Sequence, residues 1–539
     1  METMTPIQER RTTIYDAIVV GAGHNGLVTA AYLAKAGLKV LVLERRGIVG
    51  GAAITEELFP GFKFSTLADG AGYLSPELVA DLNLDQHGYE ILPTDPLLIS
   101  MQPDGNHLTI WHDSERTSQD IAKFSAEDAQ AYPEFTQWMG KISRFVAEMN
   151  NLTPPDVPEV GLSYLKQLVG FIGPVRDLGW KHLTQVVRLL PMAVADLLNE
   201  WFQSEVLKGA IAASAVLKSS SGPWEINGTA YAFLNNWAMS NNGLFRSSGQ
   251  VKGGLGALTQ ALASSAQRLG AEILTNTEVA RINMQDGQVA GISTKNGDHI
   301  QARLVISGAD ARTTFLKLVD PYYLEAKVIN HVKSIKYRGT LARVHFALSG
   351  LPKFSGINGA SEELLRGHIQ ISPSMEYIQR AYDPVKYGAC SQQPYLDIHI
   401  PTLTDPSLAP EGKHILSASV KYTPYELKNG SWDDQAEIIS KIVIDTLKDY
   451  ASDFEHSVEG FQVVTPLDME KVYNLPEGSP DHGEMSLNQF MWMRPIPGFA
   501  QYRTPIAGLY LCSASTHPGG GVTGINGRNA SRQILNDRN

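Results

Sequence analysis

The chain has 539 residues, 43% hydrophobic and 19% charged, with a net charge of −11. That length exceeds one comfortable core, so two sequential or interleaved domains are expected, and the composition excludes a disordered or fibrous chain. The acidic balance without a basic block argues against nucleic acid as a partner, and two distant cysteines, Cys390 and Cys512, exclude a disulfide framework, a C-x-x-C redox pair and a cysteine-based zinc site.

Residues 1–13 are polar and mixed in charge, without the apolar centre of a secretory signal. No stretch reaches the roughly 20 apolar residues of a membrane span. The charge-free run 226–245, for example, carries five asparagines. A cytoplasmic protein is expected.

Tyr15–Val20 is a short apolar run ending in glycine, the pattern of a buried parallel strand. Helix formers follow from Leu27 to Ala36, with Gly37 placed to close them, and Val40–Leu43 is the next strand, ending at Glu44. The whole is a β-α-β unit of about 30 residues. Its turn reads Gly21-Ala22-Gly23-His24-Asn25-Gly26. In such a loop the first glycine makes the turn, the second admits a pyrophosphate and the third packs helix on strand. The helix N-terminus then faces the anion. Glu44, eighteen residues past Gly26, is placed to accept hydrogen bonds from the adenosine ribose and to repel a 2′-phosphate, despite Arg45 and Arg46 beside it. Gly50-Gly51-Ala52-Ala53 offers a second turn along the same ligand.

Residues 86–244 change character, with a proline-rich joint (Pro154, Pro155, Pro158) and then helical patterns. Leu183, Val186, Val187 and Leu190 fall at i, i+3, i+4, i+7, with Pro191 ending that helix. Lys166, Arg176, Lys181 and Arg188 are interleaved with apolar residues over 162–198 (Leu162, Leu165 and Val169 among them), a pattern suited either to helices that roof the substrate domain and pack inward or to a membrane interface. A helix over 259–269, a strand over 272–274 and alternating strands over 280–300 follow, and Leu304-Val305-Ile306 runs into Ser307-Gly308. Further strands are expected over 342–348, 395–400 and 414–420. Near residue 510 a strand, the glycine-rich loop 513–527 and a helix over 529–535 complete the pattern. That loop presents backbone N–H groups to a second part of a long cofactor, which favours FAD over NAD.

Together with Val20–Leu27 and Val49–Ala53, the segments Leu198-Asn199-Glu200-Trp201-Phe202, Lys252–Leu258, Gly483–Gln489 and Thr516-His517-Pro518-Gly519-Gly520 resemble the FAD-dependent carotenoid/retinoid oxidoreductase family, the phytoene-desaturase-like flavoproteins. The resemblance spans nearly the whole chain and is nearest to the desaturase-type β-carotene ketolases and the pyridine nucleotide-disulphide oxidoreductase domain-containing protein 2 group. It implies an α/β fold, with a discontinuous Rossmann-like FAD-binding domain (14–85, 246–315 and 476–539) and an inserted α+β substrate domain (86–245 and 316–475). The cofactor set expected from motif and resemblance is Gly21, Ala22, Gly23, Asn25, Gly26, Glu44, Arg45, Gly51, Ala52, Val279, Ser513, Gly520, Gly521, Val522 and Thr523. His517 is the candidate catalytic residue, and Glu484, Asn488 and Arg494 are candidates for the pocket wall. No metal is expected.

Two departures stand out: Ala52 replaces the arginine of the common G-G-R-A motif, and Val251 replaces a proline before K-G-G. The implied reaction is hydride transfer from a long apolar isoprenoid to FAD. The alternatives are oxidation of a smaller amine or alcohol, and a non-catalytic FAD-bound regulator. Only one dinucleotide motif is present, so oxygen or a quinone is the expected electron acceptor. Expected partners are an apolar small molecule and, at residues 162–198, a membrane surface.

Overall fold

Strand Ile14–Val20 lies at the centre of the first sheet, parallel to Val40–Leu43 on one side and His299–Ser307 on the other. The computed structural model describes residues 13–68, 74–155, 162–226, 228–240, 243–246, 248–357 and 359–538. Glu272–Leu274 extends the sheet beyond Val40–Leu43, Val279–Gln285 and Gln288–Thr294 extend it antiparallel beyond His299–Ser307, and Leu509–Leu511 pairs with 305–307. Both faces of the central strands are covered. Ala17, Val19, Val40 and Val42 pack beneath helices His24–Lys35, Leu255–Arg268 and Ile525–Arg538, whereas Ile18, Leu41 and Leu43 enter a second core. Continuous apolar strands of this kind are what a doubly covered parallel sheet requires.

The second sheet runs Val458–Val464, Leu341–Leu348, His414–Lys421, Leu396–His399, His368–Ile371, Leu98–Met101, His107–Ile110. Its two faces differ. Val344, Phe346, Leu416, Ala418, Val420 and Ile398 pack with helix Trp432–Tyr450 in one apolar cluster. The alternate residues of the same strands, Arg343, His345, Ser417, Ser419, Lys421, Asp397 and His399, are polar and also buried. A helical layer over 114–238 has its own core around Phe135, Leu198, Phe233 and Trp237. Among the described residues no helix is long and apolar enough to cross a membrane.

Element boundaries shift where capping decides them. The first helix begins at His24, not Leu27, because extended Gly23 (φ −66°, ψ 164°) is its N-cap. The last begins at Ile525, not Asn529, with the Ile525 N–H donating to Thr523 Oγ1 at 3.2 Å. In helix Trp180–Leu189 the buried side chains are Val186 and Leu189, and Val187 is 61% exposed, so the apolar stripe turns away from the expected face. The side chains of Leu162, Leu165, Lys166 and Val169, and Pro158, lie outside the described residues. The hairpin Thr55–Phe59 and Phe62–Ser65, not expected from sequence, buries Phe62 and Phe64 against Ala347 and Ile415 of the second sheet.

Candidate functional site

The loop after the first strand performs the three glycine roles in turn. Gly21 has φ +94°, a conformation glycine adopts without penalty. A Cβ on Gly23 would meet nothing within 4 Å, whereas one on Gly26 would sit 2.2 Å from the Gly21 carbonyl oxygen. The loop therefore packs tightly behind and stays open in front. In front lies a cavity of about 430 Å³. Gly21, Gly23, Asn25 and Gly26 line its middle, Thr277–Ala280 and Glu44 one end, and His24, Ala52, Pro480 and Ala514 the other. Helix His24–Lys35 starts against it without a side-chain cap.

Glu44 is held by two backbone amides: Ala22 N–H donates to Oε2 and Arg46 N–H to Oε1, each at 2.9 Å. Each oxygen keeps a lone pair for a further donor. Two buried atoms bordering this cavity, His24 Nε2 and Asn25 Oδ1, have no hydrogen-bond partner. Buried polar groups are normally satisfied. An elongated cavity with a bare glycine loop, a helix N-terminus, a braced carboxylate and two unsatisfied polar atoms fits a dinucleotide cofactor such as FAD.

Of the residues expected to contact a cofactor, Gly21, Gly23, Asn25, Gly26, Glu44, Arg45, Gly51, Ala52, Val279 and Ser513 border this cavity. Gly521 and Val522 border a neighbouring one instead. Ala22, Gly520 and Thr523 border neither: Ala22 anchors Glu44, Thr523 caps the last helix, and Gly520 lies so close to Asp481 that a Cβ would overlap its carboxylate. His517 also borders neither cavity. It is 2% exposed, its Nε2 lies 3.2 Å from the Met149 carbonyl oxygen, and burial pulls its pKa down to about 4. It braces the loop against helix Ala126–Asn150. The histidine that does border both cavities is His24, not among the expected site residues; burial, with His482 nearby, brings it to about 4 as well.

The neighbouring inner cavity, about 200 Å³, shares His24, Ala52, Pro480 and Ala514 with the first. Its floor is the polar face of the second sheet. Arg343 stands opposite Ser419 and donates to its Oγ at 3.0 Å. Lys421, two residues further along the same strand, donates to Thr340 Oγ1 at 2.8 Å, and burial pulls its pKa down to about 7 against the pull of Asp481 and Glu484. Arg246 pairs with Asp397 at 2.5 Å. Asp481 borders the cavity beside Gly520, its carboxyl pushed upward in pKa by burial. Leu67, Leu217, Phe245 and Val522 supply apolar wall.

Glu484 and Arg338 form the boundary between this cavity and an outer one of about 300 Å³. Arg338 Nη2 donates to Glu484 Oε2 at 2.6 Å, and Ser220 Oγ to Oε1 at 2.8 Å. Asn488 borders the outer cavity, and Ile226, 73% exposed, lies at its rim. Arg494 borders none of the three. Fully buried, it donates to the carbonyls of Asp481 (2.6 Å), Glu484 (3.1 Å) and Ala514 (2.8 Å), tying both loops at the junction together. Cys390 and Cys512 are buried free thiols, raised to about 11 and about 12.

Residues 26–352 match the family model of flavin containing amine oxidoreductases. The pyridine nucleotide-disulfide oxidoreductase domain-containing protein 2 of Rattus norvegicus is 34% identical over 97% of this chain and 94% of its own length. A neurosporene-forming phytoene desaturase of Cereibacter sphaeroides is 26% identical over 95% and 92%. In fold the chain is similar to a solved oxidoreductase from Methanosarcina mazei, at 18% identity and a TM-score of 0.61 over 96% of this chain and 99% of that one.

Proposed function

The chain belongs to the flavin containing amine oxidoreductases and is an FAD-dependent oxidoreductase; from that premise we propose that it oxidises an organic substrate with an apolar carbon body in the inner cavity, at the point where that cavity opens onto the flavin. One observation carries the reading: the two cavities meet at His24, Ala52, Pro480 and Ala514. Bound FAD supplies a two-electron acceptor for a hydride, so no protein nucleophile is required.

The protein's part is binding and orientation. Gly21, Gly23, Asn25 and Gly26 present backbone and a helix N-terminus to the pyrophosphate. Glu44 takes the ribose hydroxyls and Val279 borders the adenine end. Ala52, Ser513 and Ala514 border the ring end, with the Ala514 carbonyl held by Arg494. Apolar walls exclude water from the carbon being oxidised. Oxygen or a quinone takes the electrons onward, since only one dinucleotide motif is present; anaerobic mixing with NADH or NADPH should leave the flavin oxidised. Exposed Ile172, Trp180 and Val187 support a membrane-facing role for the surface around 162–198, which flotation with anionic liposomes tests.

The central test is the absorbance spectrum of purified protein. One FAD per chain is expected. A colourless protein that cannot be reconstituted with FAD overturns the reading.

A further inference from the structure

The floor of the inner cavity is more polar than the fold requires. The opposite face of the same sheet already packs with helix Trp432–Tyr450 in an apolar core. Arg343, 2% exposed, and Lys421, 3% exposed, are thus buried where aliphatic side chains would serve packing at less cost. Five cations border the cavity, Lys218, Arg246, Arg338, Arg343 and Lys421, against the carboxylates of Asp481 and Glu484. Arg246 is taken by Asp397 and Arg338 by Glu484. Lys421 carries three N–H donors, of which Thr340 takes one, and no carboxylate among the described residues lies within ion-pair distance of its Nζ.

Each class of substrate meets this floor differently. An ammonium group would set a cation beside Lys421 and Arg343, with little water to screen it. A pure hydrocarbon would strip water from the cations and return no hydrogen bond. An anion does the opposite: it accepts charge-assisted hydrogen bonds from the spare donors of Lys421 and from Arg343, whose buried Nε has no acceptor. The apolar walls at Leu67, Leu217, Phe245 and Val522 would then contact a carbon body reaching from the sheet to the cofactor junction.

We propose that the substrate is an apolar acid whose carboxylate, or equivalent anionic group, is seated on Lys421 and Arg343 while its carbon body reaches toward His24 and Ala52. This rests on the reading of the site given above. It also separates the chain from what the name of its family suggests, because an amine is the substrate class this floor opposes. Protonation of Lys421, depressed toward neutrality in the free site, becomes favourable once an anion is bound, so binding takes up a proton near pH 7.5. The charged or titratable groups around Lys421 that bear on this are Asp481, Glu484, Arg343 and Tyr422.

The experiment uses flavin-loaded protein and matched probes: sodium octanoate against octanamide, and sodium benzoate against benzamide. Binding is read from perturbation of the flavin spectrum and by calorimetry in two buffers of different ionisation enthalpy. At least one carboxylate should bind 10-fold or more tightly than its amide, with proton uptake. Lys421→Met should abolish that preference at unchanged flavin content, and Lys421→Arg should retain most of it. Equal binding of acid and amide, no binding of either acid, or a preference that survives both Lys421→Met and Arg343→Met overturns the proposal. Flavin content separates the two failures: absent flavin sinks the reading of the site, while a yellow protein indifferent to charge sinks the anion alone.

Discussion

The cofactor cavity is marked by backbone features: a glycine loop, a helix N-terminus, and a carboxylate held by two amides. The inner cavity is marked by charged side chains, Arg343 and Lys421 among them, carried by strands that are distant in sequence and brought together in the second sheet. A site made of backbone is defined by how closely a ligand can approach, so added volume should damage it and charge substitution should matter less. A site made of buried charges should tolerate changes of shape and respond to charge and pH. The two meet at four residues, so one protein can test both rules.

The largest effects are expected in the glycine loop, where two neighbouring glycines should fail differently. Gly26→Val drives side-chain atoms into the Gly21 backbone and should cost about 3 kcal/mol or more, along with flavin. Gly23→Ala adds a Cβ with no protein atom within 4 Å and should leave the thermal midpoint of the apoprotein unchanged, yet weaken flavin retention. Equal loss of stability in both variants would mean that the cavity in front of Gly23 is not where the cofactor lies.

At Lys421 the expected sign reverses. Its folded pKa, about 7, lies below the ordinary lysine value of 10.5, so the fold favours the neutral form. The unfolded chain holds the extra proton between those values, and stability rises with pH across that window. Lys421→Met removes the penalty and should stabilise the protein by roughly 2–4 kcal/mol at pH 7 and below, with the gain shrinking toward pH 10. Denaturant unfolding at pH 6, 8 and 10 measures it. A destabilised variant at pH 6 would show that Lys421 packs as structure and not as site.

The smaller contrast is between two buried histidines. His24 borders the cavity junction, so His24→Ala should keep its flavin and slow reduction by substrate about 10-fold or more, in keeping with a group that orients a reactant. His517 braces a loop, so His517→Gln should keep both flavin and rate and lose about 1 kcal/mol in stability. Both histidines stay neutral down to about pH 4, so neither should imprint a titration near 6.5 on the reduction rate. A rate limb at that pH lost in His517→Gln would restore His517 to the chemistry.

The same division explains what the sequence revealed. Gly21 to Glu44 lies within one local unit whose spacing is set by the ligand, so strand, loop, helix start and acid could be read together. The cofactor cavity's far wall was less legible: Gly520 and Thr523 belong to the glycine-rich run but contact Asp481 and the last helix instead. Of the inner cavity, Glu484 was legible as pocket wall and the charged floor was not. Arg343, Asp397 and Lys421 alternate with apolar neighbours, the pattern of a strand with one face in water. Only the assembled sheet, with helices Glu205–Val216 and Thr229–Ala238 and the loops around Asp481 and Ala514 over that face, makes them buried. The hairpin at 55–65 escaped notice for a related reason, since Phe62 and Phe64 find their partners on the second sheet.

The final helix has a consequence in time. Helix Ile525–Arg538 packs on helix His24–Lys35 so closely that a Cβ on Gly527 would lie 2.3 Å from the Asn25 carbonyl oxygen. Leu509–Leu511 likewise pairs with 305–307 in the first sheet. The pyrophosphate loop is made long before its backing and lacks it until residues near 530 have been made. Contacts of that sequence separation form late and leave apolar surface uncovered meanwhile. Flavin loading is therefore expected to wait for residues near 530, and a stalled chain ending before residue 509 should be held by chaperones as an open intermediate unable to retain FAD.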